Sequence, residues 1–326
     1  MTPSNLAIVS SPHTQRPGIR AVHSVDRVVI TVPDLAVAEA FYSDFGLDVQ
    51  PFSNATSTGL HLKTFGHPQV WGEVRQADGI KRLQYLRFGI FAEDEAFFAQ
   101  KIKDLGLATD AHPLGSPDGL WLNGPDGFPL QLLVTGKASP SVRSKAVMLH
   151  APPGKGAAPA RSKAPRVQPR HLSHVLLFTT DVMRAIAFYR DVLGLRLSDH
   201  SGDGIAFMHG GHGSDHHLLA FAKSHAAGLH HLSWDVGSVN EVGTGGEYMK
   251  SKGHTQGWGV GRHVVGSNYF YYVRDPWGSW CEYSHDIDHI PADLDWVAAD
   301  HPGEDSFYAW GPDVPGNFVT NHECPA

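Results

Sequence analysis

Two stretches of the chain repeat one order of apolar and polar positions. Asp26-Arg27-Val28-Val29-Ile30-Thr31-Val32-Pro33-Asp34 is followed seven residues later by Phe41-Tyr42 and then by Gly46-Leu47. Ser173-His174-Val175-Leu176-Leu177-Phe178-Thr179-Thr180-Asp181 is followed by Phe188-Tyr189 and Gly194-Leu195 in the same order. Branched and aromatic side chains suit a pleated strand, and an Asp carboxylate accepts the N–H groups that a first helical turn leaves free. Each block therefore predicts a strand and then a helix. Over 181–193 the apolar residues Val182, Ala185, Ile186, Tyr189 and Val192 recur at helical intervals, with Asp181 as N-cap and Gly194 just past the end. A second helix is expected at 238–252, although Gly243, Gly245 and Gly246 weaken its interior. The run Asn268 to Val273 predicts a strand, Asp275-Pro276-Trp277-Gly278 a turn, and Trp280 to Tyr283 the returning strand. Gly257, Trp258, Gly259 and Gly261 predict a loop, and without a strand-to-helix context their spacing is not a phosphate site.

The repeat continues beyond the first strand. Leu83 to Ile90 aligns with Leu229 to Val236, and Gly124 to Gln131 with Asp275 to Glu282. In these alignments Arg27 stands opposite His174, Tyr85 opposite His231 and Gln131 opposite Glu282, at offsets of 147, 146 and 151 residues. So constant an offset predicts a duplicated scaffold of which one copy kept a metal. The expected division is a tail over 1–20, a non-catalytic domain over 21–136 and a linker rich in Ala, Pro, Lys, Arg and Ser over 137–169. A metal-binding domain over 170–287 and a C-terminal tail over 288–326 complete it.

Composition narrows the function. With 326 residues the chain can hold two domains, and a net charge of -7 disfavours general attraction to nucleic acid or anionic lipid. No apolar run approaches a membrane span, and the N-terminus lacks a charged segment leading into an apolar core. Two cysteines, Cys281 and Cys324, make no disulfide framework, which predicts a cytoplasmic protein. Of 22 histidines, 14 lie between His171 and His289, so the enrichment follows one half of the duplication.

Strand alternation decides which side chains meet. His174 shares a face with Leu176 and Phe178, and His231 with Ser233 and Asp235. With Glu282 they offer two imidazoles and a carboxylate from three strands, a facial triad suited to non-haem Fe(II). A strand histidine taken singly is more often a hydrogen-bonded core residue, and Cys281, beside Glu282, is expected to point away from the metal.

His174-Val175-Leu176 with Asp181, Leu229-His230-His231-Leu232, and the run from Gly261-Arg262-His263 through Asn268, Tyr272, Asp275-Pro276, Gly278 and Glu282-Tyr283 carry a resemblance. They resemble the type I extradiol ring-cleaving dioxygenases, the catechol 2,3-dioxygenase group of the vicinal oxygen chelate superfamily. The resemblance spans about 21–287, and Trp310-Gly311-Pro312 with Pro315 and Phe318 looks like the end of some members. It implies an α+β fold of two tandem domains, each a curved mixed sheet of paired βαβββ modules. It implies iron, or Mn(II) as the second choice, held by His174, His231 and Glu282. His231 is chosen over His230, which is expected on the opposite face, and His174 over His171. The acid–base histidine maps to His217, with His216 as the competing neighbour, and His263 and Tyr272 would hydrogen-bond the substrate.

The implied reaction opens a substituted catechol with O2 beside its two hydroxyls, in a homo-oligomer. No lone cation marks a carboxylate pocket, which favours an alkyl, halo, aryl or hydroxyl substituent. Two other readings stand beside this one. The first is another reaction on the same scaffold, a glyoxalase-type isomerisation or a gentisate-like ring opening. The second is a binding protein for small aromatic molecules.

Overall fold

A computed structural model describes residues 15–53 and 58–324. The part of the expected N-terminal tail before residue 15 lies outside the described residues. In the first half the chain forms β1 (Ser24–Val32), α1 (Leu35–Phe45), β2 (Asp48–Ser53), β3 (Thr58–Lys63), β4 (Val70–Gln76) and β5 (Arg82–Ile90). It continues with α2 (Glu95–Asp104), β6 (Leu120–Asn123) and β7 (Pro129–Val134), giving a sheet of order β2-β3-β4-β1-β5-β7-β6. The second half contains β8 (His171–Thr179), α3 (Val182–Asp191), β9 (Arg196–Ser201), β10 (Ile205–His209), β11 (Ser214–Asp215) and β12 (Leu219–Lys223). Then follow β13 (Gly228–Asp235), α4 (Val239–Ser251), β14 (Gly257–Arg262), β15 (Tyr269–Arg274), β16 (Trp280–His285), β17 (His289–Ile290) and β18 (Ala299–Asp300). Their sheet runs β14-β15-β16-β13-β8-β12-β10-β9-β18, while β11 pairs with β17.

Each sheet is two modules joined by a central antiparallel pair, β1 with β5 and β8 with β13. Both modules of the second sheet have the full strand–helix–three-strand order. The second module of the first sheet is one strand short, and an isolated Ala108–Leu122 bridge stands beside β6. The duplication extends to irregularities. In β1–β5 the register skips Asp26 and Gln84, and in β8–β13 it skips Ser173 and His230, the positions that the repeat aligns with them. A bulge leaves one residue unpaired and turns its side chain out of the alternating pattern. These two bulges frame the residues that matter below.

Local chemistry accounts for the elements. Asp34 accepts from the backbone N–H of Ala36 and Val37, and Asp181 from that of Arg184. Helix α3 ends at Asp191, short of the expected 193, and the chain leaves through Gly194 at φ +75°. Two of the three glycines of α4, Gly245 and Gly246, are packing residues. A Cβ on Gly245 would stand 2.8 Å from the Tyr283 ring, and one on Gly246 2.7 Å from that of Tyr271. The expected loop at 257–261 is instead strand β14, laddered to β15 with a bulge between Gly259 and Gly261. Glycine occurs there because aromatic neighbours leave no space, since a Cβ on Gly261 would lie 2.4 Å from the Phe270 ring.

The halves share one apolar core, in which Phe45 stacks on Tyr283 at 3.9 Å and accepts its hydroxyl hydrogen bond at 2.7 Å. Lys81 and Asp275 form a buried ion pair across the same junction. The start of segment 137–169 is tied to β1, because Ser24 Oγ accepts from the backbone N–H of Ala138 and Ser139. Residues 288–324 are no loose tail. Strand β18 extends the sheet, Trp258 Nε1 donates to the Pro312 carbonyl at 2.8 Å, and Phe318 is buried against Tyr272. Among the described residues, no helix is long and apolar enough to cross a membrane.

Candidate metal centre and active-site cavity

Three adjacent strands deliver three donors to one point. His174 on β8, His231 on β13 and Glu282 on β16 each offer an atom within 4.8 Å of the others. His174 Nε2 lies 3.2 Å from His231 Nε2 and 3.2 Å from Glu282 Oε2, and His231 Nε2 lies 3.7 Å from that oxygen. The other nitrogen of His174, Nδ1, contacts Ser173 Oγ at 3.3 Å, and that hydroxyl donates to the buried Asp215 carboxylate at 3.0 Å. The bulge at Ser173 turns its hydroxyl toward the neighbouring ring.

These residues suit a divalent cation. All three are buried, and Glu282 Oε2 has no hydrogen-bond partner among the described residues although it points between two imidazole nitrogens. A buried carboxylate oxygen without a partner is costly, and a cation would satisfy it together with the facing nitrogens. Glu282 Oε1 is already occupied, accepting from Asn268 Nδ2 at 3.0 Å. Burial pushes the Glu282 carboxyl up, but His174 and His263 outweigh it and hold it well below the usual carboxylate range. Burial and the neighbouring His230 keep His231 well below the ordinary imidazole range, leaving it neutral and able to ligate.

The same cavity presents His217, His263 and Tyr272. His217 packs on His174 with ring centroids 4.0 Å apart, and burial followed by the charges of His174 and His216 drives its pKa well down. His216 does not line the cavity. It sits behind His217, with Nε2 on Asp199 at 2.8 Å. His263 Nδ1 donates to the Phe307 carbonyl, so Nε2 is free to accept from the Tyr272 hydroxyl at 3.1 Å. Burial, and then the Glu282 charge, raises the Tyr272 phenol well above its ordinary value. Most of the remaining wall is apolar, with Leu176, Ile205, Phe207, Ala222 and Val265 in one cluster and Trp258 and Phe318 in another, interrupted by Asn268 and Ser306.

His171 stands apart from the cluster, between Asp215 at 3.6 Å and Asp235 at 3.5 Å. Burial lowers its pKa, yet Asp235 and Asp215 outweigh that and hold it above the usual range. Cys281 faces the shared core, opposite Glu282, and burial pushes its thiol up. One expectation fails. His230 lines the same cavity as His231 rather than the opposite face, because the bulge at His230 breaks the period of two. Its ring is neutral, lowered to about 4 by burial against an opposing hydrogen bond to the Phe318 carbonyl. Asn268, Asp215 and Phe318 also went without a role in the sequence. Asn268 had a signal, since it immediately precedes the strand that ladders with Glu282, but the other two are brought in by distant segments.

The first sheet holds the counterparts. The ladders place Arg27 opposite Arg87, Val29 opposite Tyr85 and Arg87 opposite Gln131, as they place His174 opposite Ser233, Leu176 opposite His231 and Ser233 opposite Glu282. Arg27 pairs with Glu73 at 3.1 Å, Tyr85 packs edge-on against Trp121 at 4.9 Å, and Gln131 donates to the Asp118 carbonyl at 2.8 Å.

Fold and donor set together define a class, and residues 171–283 match the model of the Glyoxalase/Bleomycin resistance protein/Dioxygenase superfamily. A solved structure of an Mn(II)-bound glyoxalase from Novosphingobium aromaticivorans superposes with a TM-score of 0.70 at 24% identity, covering 90% of this chain and 92% of that one. That likeness concerns the fold alone. The sequence likeness goes further: metapyrocatechase 2 of Cupriavidus necator is 51% identical over 320 residues, 97% of this chain and 98% of the relative. An iron-dependent extradiol dioxygenase of Rhodococcus jostii is 30% identical over 157 residues, 44% of this chain and 50% of the relative. The chain belongs to the type I extradiol ring-cleaving dioxygenases, the catechol 2,3-dioxygenase group of the vicinal oxygen chelate superfamily.

Proposed function

We propose that this protein is an Fe(II)-dependent dioxygenase that opens catechols bearing an apolar substituent, with His174, His231 and Glu282 as metal ligands. The observation that carries this is the convergence of two imidazole nitrogens and a carboxylate oxygen beside His217, His263 and Tyr272 in an apolar cavity. This donor set leaves coordination positions open, and it accepts Mn(II) as well as Fe(II). Iron is supported by the naming of the Rhodococcus relative.

When bound, ferrous iron supplies Lewis acidity toward the diol and redox chemistry toward O2. The chain supplies the rest. His217, buried and neutral, takes one diol proton and returns it to the departing oxygen, a general base and then a general acid. Tyr272, donating to His263 Nε2, keeps an oxygen lone pair to accept a hydrogen bond from the substrate, and together they fix its orientation. Leu176, Ile205, Phe207, Ala222 and Val265 exclude water and receive the apolar substituent. In the balanced reaction the ring carbon–carbon bond next to the diol breaks, and both atoms of O2 enter the product. The ring is oxidised as O2 is reduced, and no external reductant is needed. Two unpaired cysteines, Cys281 and Cys324, suit a cytoplasmic setting, and we place the protein there as a homo-oligomer.

The test is anaerobic loading with Fe(II), addition of 4-methylcatechol, then air. Consumption of one O2 per catechol with a yellow ring-opened product is expected. Tight catechol binding without O2 uptake would instead mark a binding protein, and turnover of a hemithioacetal without O2 would mark an isomerase.

A further inference from the structure

Two of the imidazoles in the cavity have their inner nitrogen tied to the histidine immediately before them. His230 Nδ1 and His231 Nδ1 lie 2.7 Å apart, and His216 Nδ1 and His217 Nδ1 lie 3.1 Å apart. Ring nitrogens approach this closely when one carries the proton and the other offers its lone pair. In the 216–217 pair the direction follows from Asp199. A carboxylate only accepts, so His216 Nε2 carries its proton, His216 Nδ1 is a lone pair, and His217 donates. In the 230–231 pair the direction follows from the metal centre. His231 Nε2 faces His174 Nε2 at 3.2 Å and Glu282 Oε2 at 3.7 Å, and to ligate it must be a bare lone pair. The proton of the neutral ring is then on His231 Nδ1, and His230 Nδ1 is the lone pair that accepts from it.

We propose that His230 is a positioning residue: packed edge-on against the Phe318 ring, it accepts a hydrogen bond from His231 Nδ1 and so fixes the tautomer and ring orientation in which His231 binds a metal. This rests on the metal centre proposed above. The bulge at His230 is what makes the pairing possible, because neighbours on a regular strand point to opposite faces. The packing comes from the C-terminal segment, whose Phe318 ring lies 4.8 Å from the His230 ring and whose carbonyl is held by Trp280 Nε1 at 3.1 Å. Metal affinity is thereby wired to residues far along the chain. The equivalent bulge in the first sheet carries Gln84, whose amide bonds Thr31 Oγ1 at 2.8 Å and serves no ligand.

The experiment compares Fe(II) affinity of the metal-free parent with His230→Asn, His230→Gln and His230→Leu, measured as iron retained after anaerobic desalting at graded Fe(II). Asn places an amide oxygen where His230 has Nδ1 and keeps the acceptor. Gln places its amide near Nε2, away from His231 Nδ1, and Leu has no acceptor. The expected result is affinity within about twofold of the parent for His230→Asn, and a loss on the order of 10–100-fold for the other two. Equal affinity in all three, or loss in His230→Asn as large as in His230→Gln, would overturn the proposal. The Asn and Gln variants decide this between themselves even where the Leu variant fails to fold. A parent that retains no iron refutes the metal centre itself, so the two failures are distinguishable.

Discussion

The two large sheets of this molecule are the same scaffold with different contents. They share strand order around the central pair, and both carry bulges one residue before the first donor position and one before the second. In the second sheet those positions hold His174 and His231, with Glu282 on the next strand, and a carboxylate oxygen is left without a partner. In the first they hold Arg27, which pairs with Glu73, Tyr85, which packs on Trp121, and Gln131, which donates to the Asp118 carbonyl. The atoms left without a partner there, among the described residues, are the Arg27 Nε and the oxygen of a neutral amide, with no imidazole lone pairs beside them. Backbone geometry therefore does not make the metal site. What makes it is an excess of lone pairs over protons among buried side chains, and the first sheet has exchanged that excess for an ion pair and a neutral amide.

The sharpest way to break this comparison is to remove a ligand from one sheet and its counterpart from the other. His231→Ala should abolish iron retention and ring cleavage, whereas Tyr85→Phe should leave one iron per chain and turnover unchanged, as read by metal analysis and O2 uptake. Loss of iron from Tyr85→Phe would mean that the first sheet takes part. A somewhat smaller effect is expected within the active half. His217→Ala should keep its iron while turnover falls on the order of 10²–10⁴-fold, and loss of iron would show it to be a ligand.

On the other side of the comparison, Glu73→Ala strands the Arg27 guanidinium, which burial already disfavours. Denaturant unfolding should show a loss of about 3 kcal/mol, with iron stoichiometry intact. The mildest contrast is with acid, because each half buries a neutral histidine. Burial lowers His23 to about 4 and His209 to about 3. Unfolded chains take up those protons near pH 6.5, before the folded chain does, so stability is full above about 6.5 and falls as the pH drops toward 4. Melting temperature of the metal-free protein should decline over that window, and His209→Asn should flatten part of the slope. A profile level from pH 7 to 5 would contradict the burial of these rings as neutral species.

Much of this was legible in the sequence because the repeat is long and its strands are strongly apolar. The donor positions His174, His231 and Glu282 lie in such strands, and a period of two suffices to place them on one face. His230 was misplaced by the same rule, since a bulge is one residue of irregularity that no pattern of apolar positions announces. Gly257 to Gly261 looked like a loop because glycine weakens strands in general, whereas here the rings of Phe270 and Tyr271 leave space for nothing larger. The C-terminal segment carries little periodicity, so its closure over the cavity through Phe307 and Phe318 comes from contacts distant in sequence. The Ser173–Asp215 link was hidden for the same reason.

The most direct test is a crystal of the Fe(II)-loaded protein measured at the iron absorption edge. The account predicts one anomalous peak per chain, between His174, His231 and Glu282, and none among Arg27, Tyr85 and Gln131. A peak in the first sheet, or turnover in a protein whose iron lies elsewhere, would contradict it.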